Sequence, residues 1–139
     1  MSFIAPGPID HVGIAVRDID AAAERYRELL GARVIHREKV TGQGVEVAFL
    51  EMPGATRVEL IAPLDDGSPV ARFLAKRGEG MHHICVLVED IDTTLARLGE
   101  EEVPLVDAAP RSGAEGARIA FLHPAALGGV LLELKQKAG

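Results

Sequence analysis

The sequence predicts an α+β fold of two tandem βαβββ modules forming a curved mixed sheet around a cup. Three observations predict it. First, PIDHVGIAVRDID at 8–20 returns as GMHHICVLVEDID at 80–92, ungapped at a spacing of 72, with His11/His83, Val16/Val88, Asp18/Asp90, Ile19/Ile91 and Asp20/Asp92 identical. A repeat is read before any single element because missing it misreads the whole fold. Second, each copy passes from a period of two to a helical period within a few residues. Third, each helix is followed by three extended stretches. The plainer alternative is a ferredoxin-like sandwich with a fortuitous repeat.

The first module spans 8–62. Val12, Ile14 and Val16 alternate with His11, Gly13 and Ala15, so the β-branched face packs under a helix and the small-residue face leaves room in front. DAAAERYRELLG follows as that helix, with Asp20 as N-cap, Gly31 as terminator, and Ile19, Ala23, Tyr26 and Leu30 on one stripe. ARVIHRE, GVEVAFLEM and RVELIAP are strands between turns bearing glycine or proline. A linker, 63–80, contains SPVARFLAKRG, a short helix with Pro69 near its first turn.

The second module, 81–136, repeats the order. HHICVLVEDID is a strand, DTTLARLGEE a helix, and VPLVDA, ARIAFL and GVLLELK are three further strands. VAFL at 47–50 matches IAFL at 119–122 at the same spacing of 72, and VELIA at 58–62 matches LELKQ at 132–136 at 74. One helix cannot cover both faces of a four-stranded sheet. Pairing two modules leaves helices outside and a concavity inside, into which both repeated histidines look.

Composition narrows the function. At 139 residues, 47% hydrophobic and 26% charged, the chain is a globular domain. A formal charge of −6 argues against a nucleic-acid partner. No apolar run is long enough to span a membrane, and MSFIAPGP has no signal-peptide pattern. The lone Cys85 excludes an internal disulfide and fits a cytoplasmic protein.

Four polar residues stand where apolar ones belong. His11 and His83 occupy equivalent strand positions, whereas His82 points to the other face and its partner is Asp10. Glu59 and Glu133 sit mid-strand between aliphatic residues. A buried carboxylate costs several kcal/mol, on the order of its desolvation, unless an opposite charge meets it. A divalent cation supplies that charge. Two imidazoles and two carboxylates nearly neutralise it and leave two of six octahedral positions open, making the concavity a metal-binding cup. The mixed nitrogen and oxygen donors suit zinc, cobalt, nickel, manganese or iron(II). The alternative is edge-strand glutamates beside structural histidines. His36 reads as surface and Cys85 as packing.

These features resemble the vicinal oxygen chelate superfamily, which builds a metal cup from paired βαβββ modules. Across nearly the whole chain, IDHVGIAV, QGVEVAFLE, VELIAPL, SPVARFLAKRGEGMHHI, PRSGAEGARIAFLHP and GGVLLEL are similar to the methylmalonyl-CoA epimerase family. The resemblance places the metal ligands on His11, Glu59, His83 and Glu133, the four already selected. It implies a divalent cofactor (cobalt, zinc, nickel or manganese), methylmalonyl-CoA as substrate, and a homodimer.

The implied reaction interconverts (R)- and (S)-methylmalonyl-CoA by removal and return of the α-proton, the enolate being stabilised by Lewis-acid polarisation. Inversion needs an acid–base group on each face of the carbon, or one group and a water. Glu133 is the first candidate. Glu46 is the second, although the family's second glutamate stands one residue later, where this chain has Val47. A β-bulge would bring Glu46 to the cavity face. Gln43 is a candidate for hydrogen-bonding the acyl group. Arg111, Arg118 and the loop at Gly113 are candidates for holding the carboxylate, and His123 for a further substrate contact. Rival readings are a glyoxalase I-type lyase acting on a glutathione hemithioacetal, a ring-cleaving dioxygenase, and a non-catalytic small-molecule-binding member.

Overall fold

The structure, a computed structural model, describes all residues except Met1 and Pro6. The chain divides into two compact units, His11–His82, and Met1–Asp10 with His83–Gly139. The first is built on β1 (Ile9–Ala15), α1 (Ile19–Leu30), β2 (Arg33–Val40), β3 (Val45–Glu51), β4 (Arg57–Pro63) and α2 (Pro69–Arg77). Its strands run in the order β2-β3-β4-β1, antiparallel except for the parallel pair β1 and β4. A parallel pair needs a long crossover, which α1 and the β2–β3 hairpin provide.

One face of this sheet is the core. Ile14, Val16, Ala48, Leu50, Val58, Leu60 and Ala62 pack against Ile19, Ala22, Ala23 and Tyr26 of α1. Leu30, assigned to the same stripe from spacing, is half-exposed because Gly31 ends the helix there in a left-handed conformation (φ 68°). The N-cap is Asp18, not Asp20: its carboxylate accepts from Ala21 N at 3.1 Å. Asp20 lies two residues further on, in the first turn, and is bound by Arg37. Ser68 caps α2, with Pro69 in its first turn.

The second unit carries β5 (Gly80–Leu87), α3 (Ile91–Glu100), β6 (Arg111–Ser112), β7 (Arg118–Leu122) and β8 (Leu132–Gln136). Strand order is β5-β8-β7-β6, with β5 and β8 parallel and the others antiparallel. Ile84, Val86, Ala120, Leu122, Leu132 and Leu134 pack against Ile91, Leu95 and Leu98 of α3. Asp90 caps α3 by accepting from Thr93 N at 3.0 Å. The repeated Asp18 and Asp90 are therefore helix caps, each satisfying a first-turn N–H that the helix leaves unpaired.

The α+β class and the two βαβββ patterns are as the sequence predicts, with one difference. VPLVDA is not a full strand. It makes a single bridge, Leu105 to Leu122, and β6 is only two residues long. Pro104 and Pro110 remove two ladder donors, and Asp107 takes the Phe121 N–H on its carboxylate at 2.9 Å.

Candidate metal centre

Each sheet has a second face, opposite its helix, and the predicted ligands lie there. In His11–His82 the register pairs Gly13 with Glu59 and Glu59 with Phe49. Directly paired residues share a face, so Glu59 and Phe49 face the side of His11, Gly13 and Ala15. His11 is 2% exposed and Glu59 6%. His11 Nε2 lies 3.6 Å from Glu59 Oε1. Phe49 stands edge-on to the His11 ring, centroids 5.1 Å apart.

The other unit repeats this arrangement within itself. Cys85 pairs with Glu133 and Glu133 with Phe121. His83 Nε2 lies 3.2 Å from Glu133 Oε1, and Phe121 is edge-on to His83 at 5.8 Å. His83 and Glu133 are also buried, at 4% and 7%. Each unit thus holds a buried imidazole–carboxylate couple against an aromatic wall. Buried charge of this kind, with nitrogen and oxygen donors facing one another, fits a divalent cation. Cys85 sits beside Glu133 and is fully buried.

The residues around the two couples are less symmetric. The Arg57 guanidinium lies 4.1 Å above the Phe49 ring, and Arg111 lies 5.7 Å above Phe121 while pairing with Asp107 at 3.4 Å. Lys135, on the Glu133 face of β8, is 3% exposed; its Nζ donates to Asp10 Oδ2 at 3.0 Å and Glu115 Oε1 at 2.8 Å. Burial works against its charge, but the hydrogen bonds to Glu115 and Asp10 outweigh burial and raise its pKa above the ordinary 10.5. Glu115 has a left-handed backbone (φ 61°), so Lys135 grips the loop at a strained point. Gly113 completes the loop's approach: a Cβ there would come within 2.7 Å of Ile119 Cγ2.

Three predicted site residues lie elsewhere. Glu46 pairs with Ala62 in register, which puts it on the helix face with Ala48 and Leu50, and it binds Arg37 at 3.1 Å. β3 pairs with β4 without a register shift; the bulge anticipated in β3 lies in β2, between Val34 and His36. Arg118 is likewise on the helix face, bidentate to Asp92 at 2.7 and 3.0 Å. That contact lowers the Asp92 pKa and raises that of Arg118. His123 is exposed and caps a short 3₁₀ turn, Nδ1 accepting from Ala125 N at 3.0 Å. Gln43 ends the 3₁₀ turn before β3, half-buried.

Sequence reasoning missed Phe49, Phe121, Arg57 and Lys135. The signals were present: the phenylalanines lie in the matched VAFL and IAFL, and Arg57 and Lys135 stand two residues from Glu59 and Glu133. A spacing of two in a strand means one face.

No helix among the described residues is long and apolar enough to cross a membrane. Residues 10–121 match the family model of the glyoxalase/bleomycin resistance protein/dioxygenase superfamily. An ethylmalonyl-CoA/methylmalonyl-CoA epimerase of Cereibacter sphaeroides is 44% identical over 94% of this chain and 98% of its own length. The human mitochondrial methylmalonyl-CoA epimerase is 40% identical over 94% of this chain and 74% of its own. Among solved structures, methylmalonyl-CoA epimerase from Mycobacterium tuberculosis has a TM-score of 0.90 at 44% identity, covering 96% of this chain and 89% of that one. A methylmalonyl-CoA epimerase in complex with methylmalonyl-CoA and NH4+ has a TM-score of 0.90 at 40% identity, covering 97% of each chain. The chain belongs to the glyoxalase/bleomycin resistance protein/dioxygenase superfamily and, within it, to the methylmalonyl-CoA epimerases, a family of isomerases.

Proposed function

We propose that this protein interconverts (R)- and (S)-methylmalonyl-CoA with the aid of one divalent ion held jointly by His11, Glu59, His83 and Glu133. The observation that carries the reading is the pair of buried His–Glu couples at repeat-equivalent positions in a chain of this family. The ion, when bound, supplies Lewis-acid polarisation of the thioester carbonyl, lowering the cost of removing the α-proton.

The chain's own residues do the rest. A Glu133 carboxylate oxygen takes the α-proton of one epimer and, as the acid, returns a proton to the same face in the reverse direction. Such positioned groups contribute about 10²–10⁴-fold. Phe49 and Phe121 shield the couples from water, which strengthens their electrostatics. Arg111, held over Phe121, and the loop at Gly113 receive the substrate carboxylate, and Gln43 donates to the acyl group. Cobalt, zinc, nickel and manganese all suit the donor set. The protein acts as a cytoplasmic homodimer in this reading.

The test is deuterium entry at the α-carbon. Metal-loaded protein is given a single epimer in heavy water, beside a chiral assay and a chelated control. Exchange with inversion, abolished by chelation and restored by cobalt, supports the reading. Absence of exchange from fully metallated protein would sink it, and glutathione hemithioacetals would then be tried.

A further inference from the structure

The reaction proposed above needs a proton carrier on the other face of the α-carbon, a side chain or a water, and Glu46 does not lie on the histidine face. Another carboxylate does. In β2, His36 pairs with Phe49 and Glu38 with Val47, while Phe49 and Val47 pair in turn with Glu59 and Ile61. His36 and Glu38 therefore share the face of Glu59 and His11, whereas Arg37 and Lys39 pair with Ala48 and Glu46 on the helix face.

The bulge between Val34 and His36 creates this placement. Val34 pairs with Leu50 on the helix face, and His36 pairs with Phe49, leaving Ile35 as the extra residue. Were Ile35 paired in regular alternation, His36 and Glu38 would share the helix face with Val34. Bulges re-aim side chains in this way, and they are over-represented beside active sites. The side chains the bulge has turned are joined: His36 Nε2 and Glu38 Oε1 are 2.8 Å apart. The His36 ring also lies over Phe49, centroids 6.3 Å apart and tilted 32°, and Phe49 is edge-on to His11. The dyad is thus continuous with the metal couple of its own unit. Of the other carboxylates on this face, Glu59 is a ligand in our reading and Glu51 is engaged by Arg33 at 3.1 Å.

We infer that Glu38, oriented by His36, is the second acid–base residue of the epimerisation; the inference rests on the epimerase reading. In one direction the Glu38 carboxylate takes the α-hydrogen as a proton, and the C–H electron pair passes into the thioester enolate. A proton then reaches the α-carbon from the opposite face, forming the new C–H bond. In the reverse direction protonated Glu38 gives its proton to the enolate. Each group is reset by exchange with solvent.

Loss of one base and loss of general activity have different stereochemical signatures. Wild type, Glu38→Gln and Glu38→Asp are each given separate (R) and (S) substrate in heavy water, with metal content and thermal unfolding measured on every sample. Glu38→Gln should slow interconversion about 10²-fold or more, while one epimer, and only one, still exchanges its α-hydrogen with retention. Glu38→Asp should recover part of the inversion and serves as the readable variant if the glutamine variant does not fold. Inversion by Glu38→Gln within threefold of wild type overturns the assignment. So does an equal loss of exchange from both epimers in a folded, metallated variant, which would mark a structural role. Wild type that exchanges neither epimer removes the epimerase reading itself, and the role of Glu38 with it.

Discussion

Lys135 Nζ lies 3.0 Å from Asp10 Oδ2, and both side chains are only 4% exposed. One ammonium thus joins the residue before His11, the strand that carries Glu133, and, through Glu115, the glycine-bearing loop. Truncating one partner of such a buried pair leaves the other charge uncompensated. Lys135→Met should therefore cost about 3–5 kcal/mol, read as a lower denaturant midpoint at unchanged slope. Adding Asp10→Asn should return part of that loss, because the stranded charge goes with it.

The same lysine sets an alkaline limb. Its folded-state pKa is raised above the ordinary 10.5, so its contribution is complete below the unfolded value and is lost as pH climbs through the folded one. Urea melts of wild type should weaken from about pH 10.5 upward. The gap between wild type and Lys135→Met should narrow over that same range. A gap that stays constant would show that Lys135 does not titrate there.

Metal stoichiometry tests whether the two His–Glu couples serve one ion. The expected content is one divalent ion per chain, lost in His11→Ala and His83→Ala alike. Two ions per chain, each removed by only one substitution, would mean separate sites. Because binding to the folded state alone stabilises it, metal at a hundredfold its Kd should add roughly 2.7 kcal/mol. Chelation should lower the melting temperature accordingly.

Glu46 and Arg118 provide the controls. Both bind partners on the helix faces of their sheets, Arg37 and Asp92 respectively. Glu46→Gln and Arg118→Gln should leave epimerisation within about twofold, since both side chains lie on the helix faces, away from the His–Glu couples. Glu133→Gln should cost about 10²–10⁴-fold. A chiral assay on all three variants at fixed metal loading decides it.

Much of the architecture was legible because repeats and periods are local properties of a chain. Alternation placed His11, Glu59, His83 and Glu133 on strands, and the spacing of 72 selected His83 over its neighbour His82. The burial of those four followed from the aliphatic residues beside them. Asp18 and Asp90 belong to the same repeat, but the sequence pointed to Asp20 as the first helix cap, and only the Asp18 carboxylate accepting from Ala21 N shows that Asp18 takes that place.

Register is different, because it is a relation between strands. One extra residue in β2 reverses which of His36, Arg37, Glu38 and Lys39 face the histidines, and the bulged strand does not announce it. Glu46 fell on the helix face for the same reason: an unshifted β3 leaves its side chain with Ala48 and Leu50. The meeting of Lys135, Asp10 and Glu115 was equally out of reach, since two of the three are 125 residues apart in the chain. Sequence by itself determined the modules, their helices and the candidate metal ligands, through hydrophobic periodicity and repetition. Tertiary structure decided which charged side chains join those residues on the working face, because strand pairing alone sets facing.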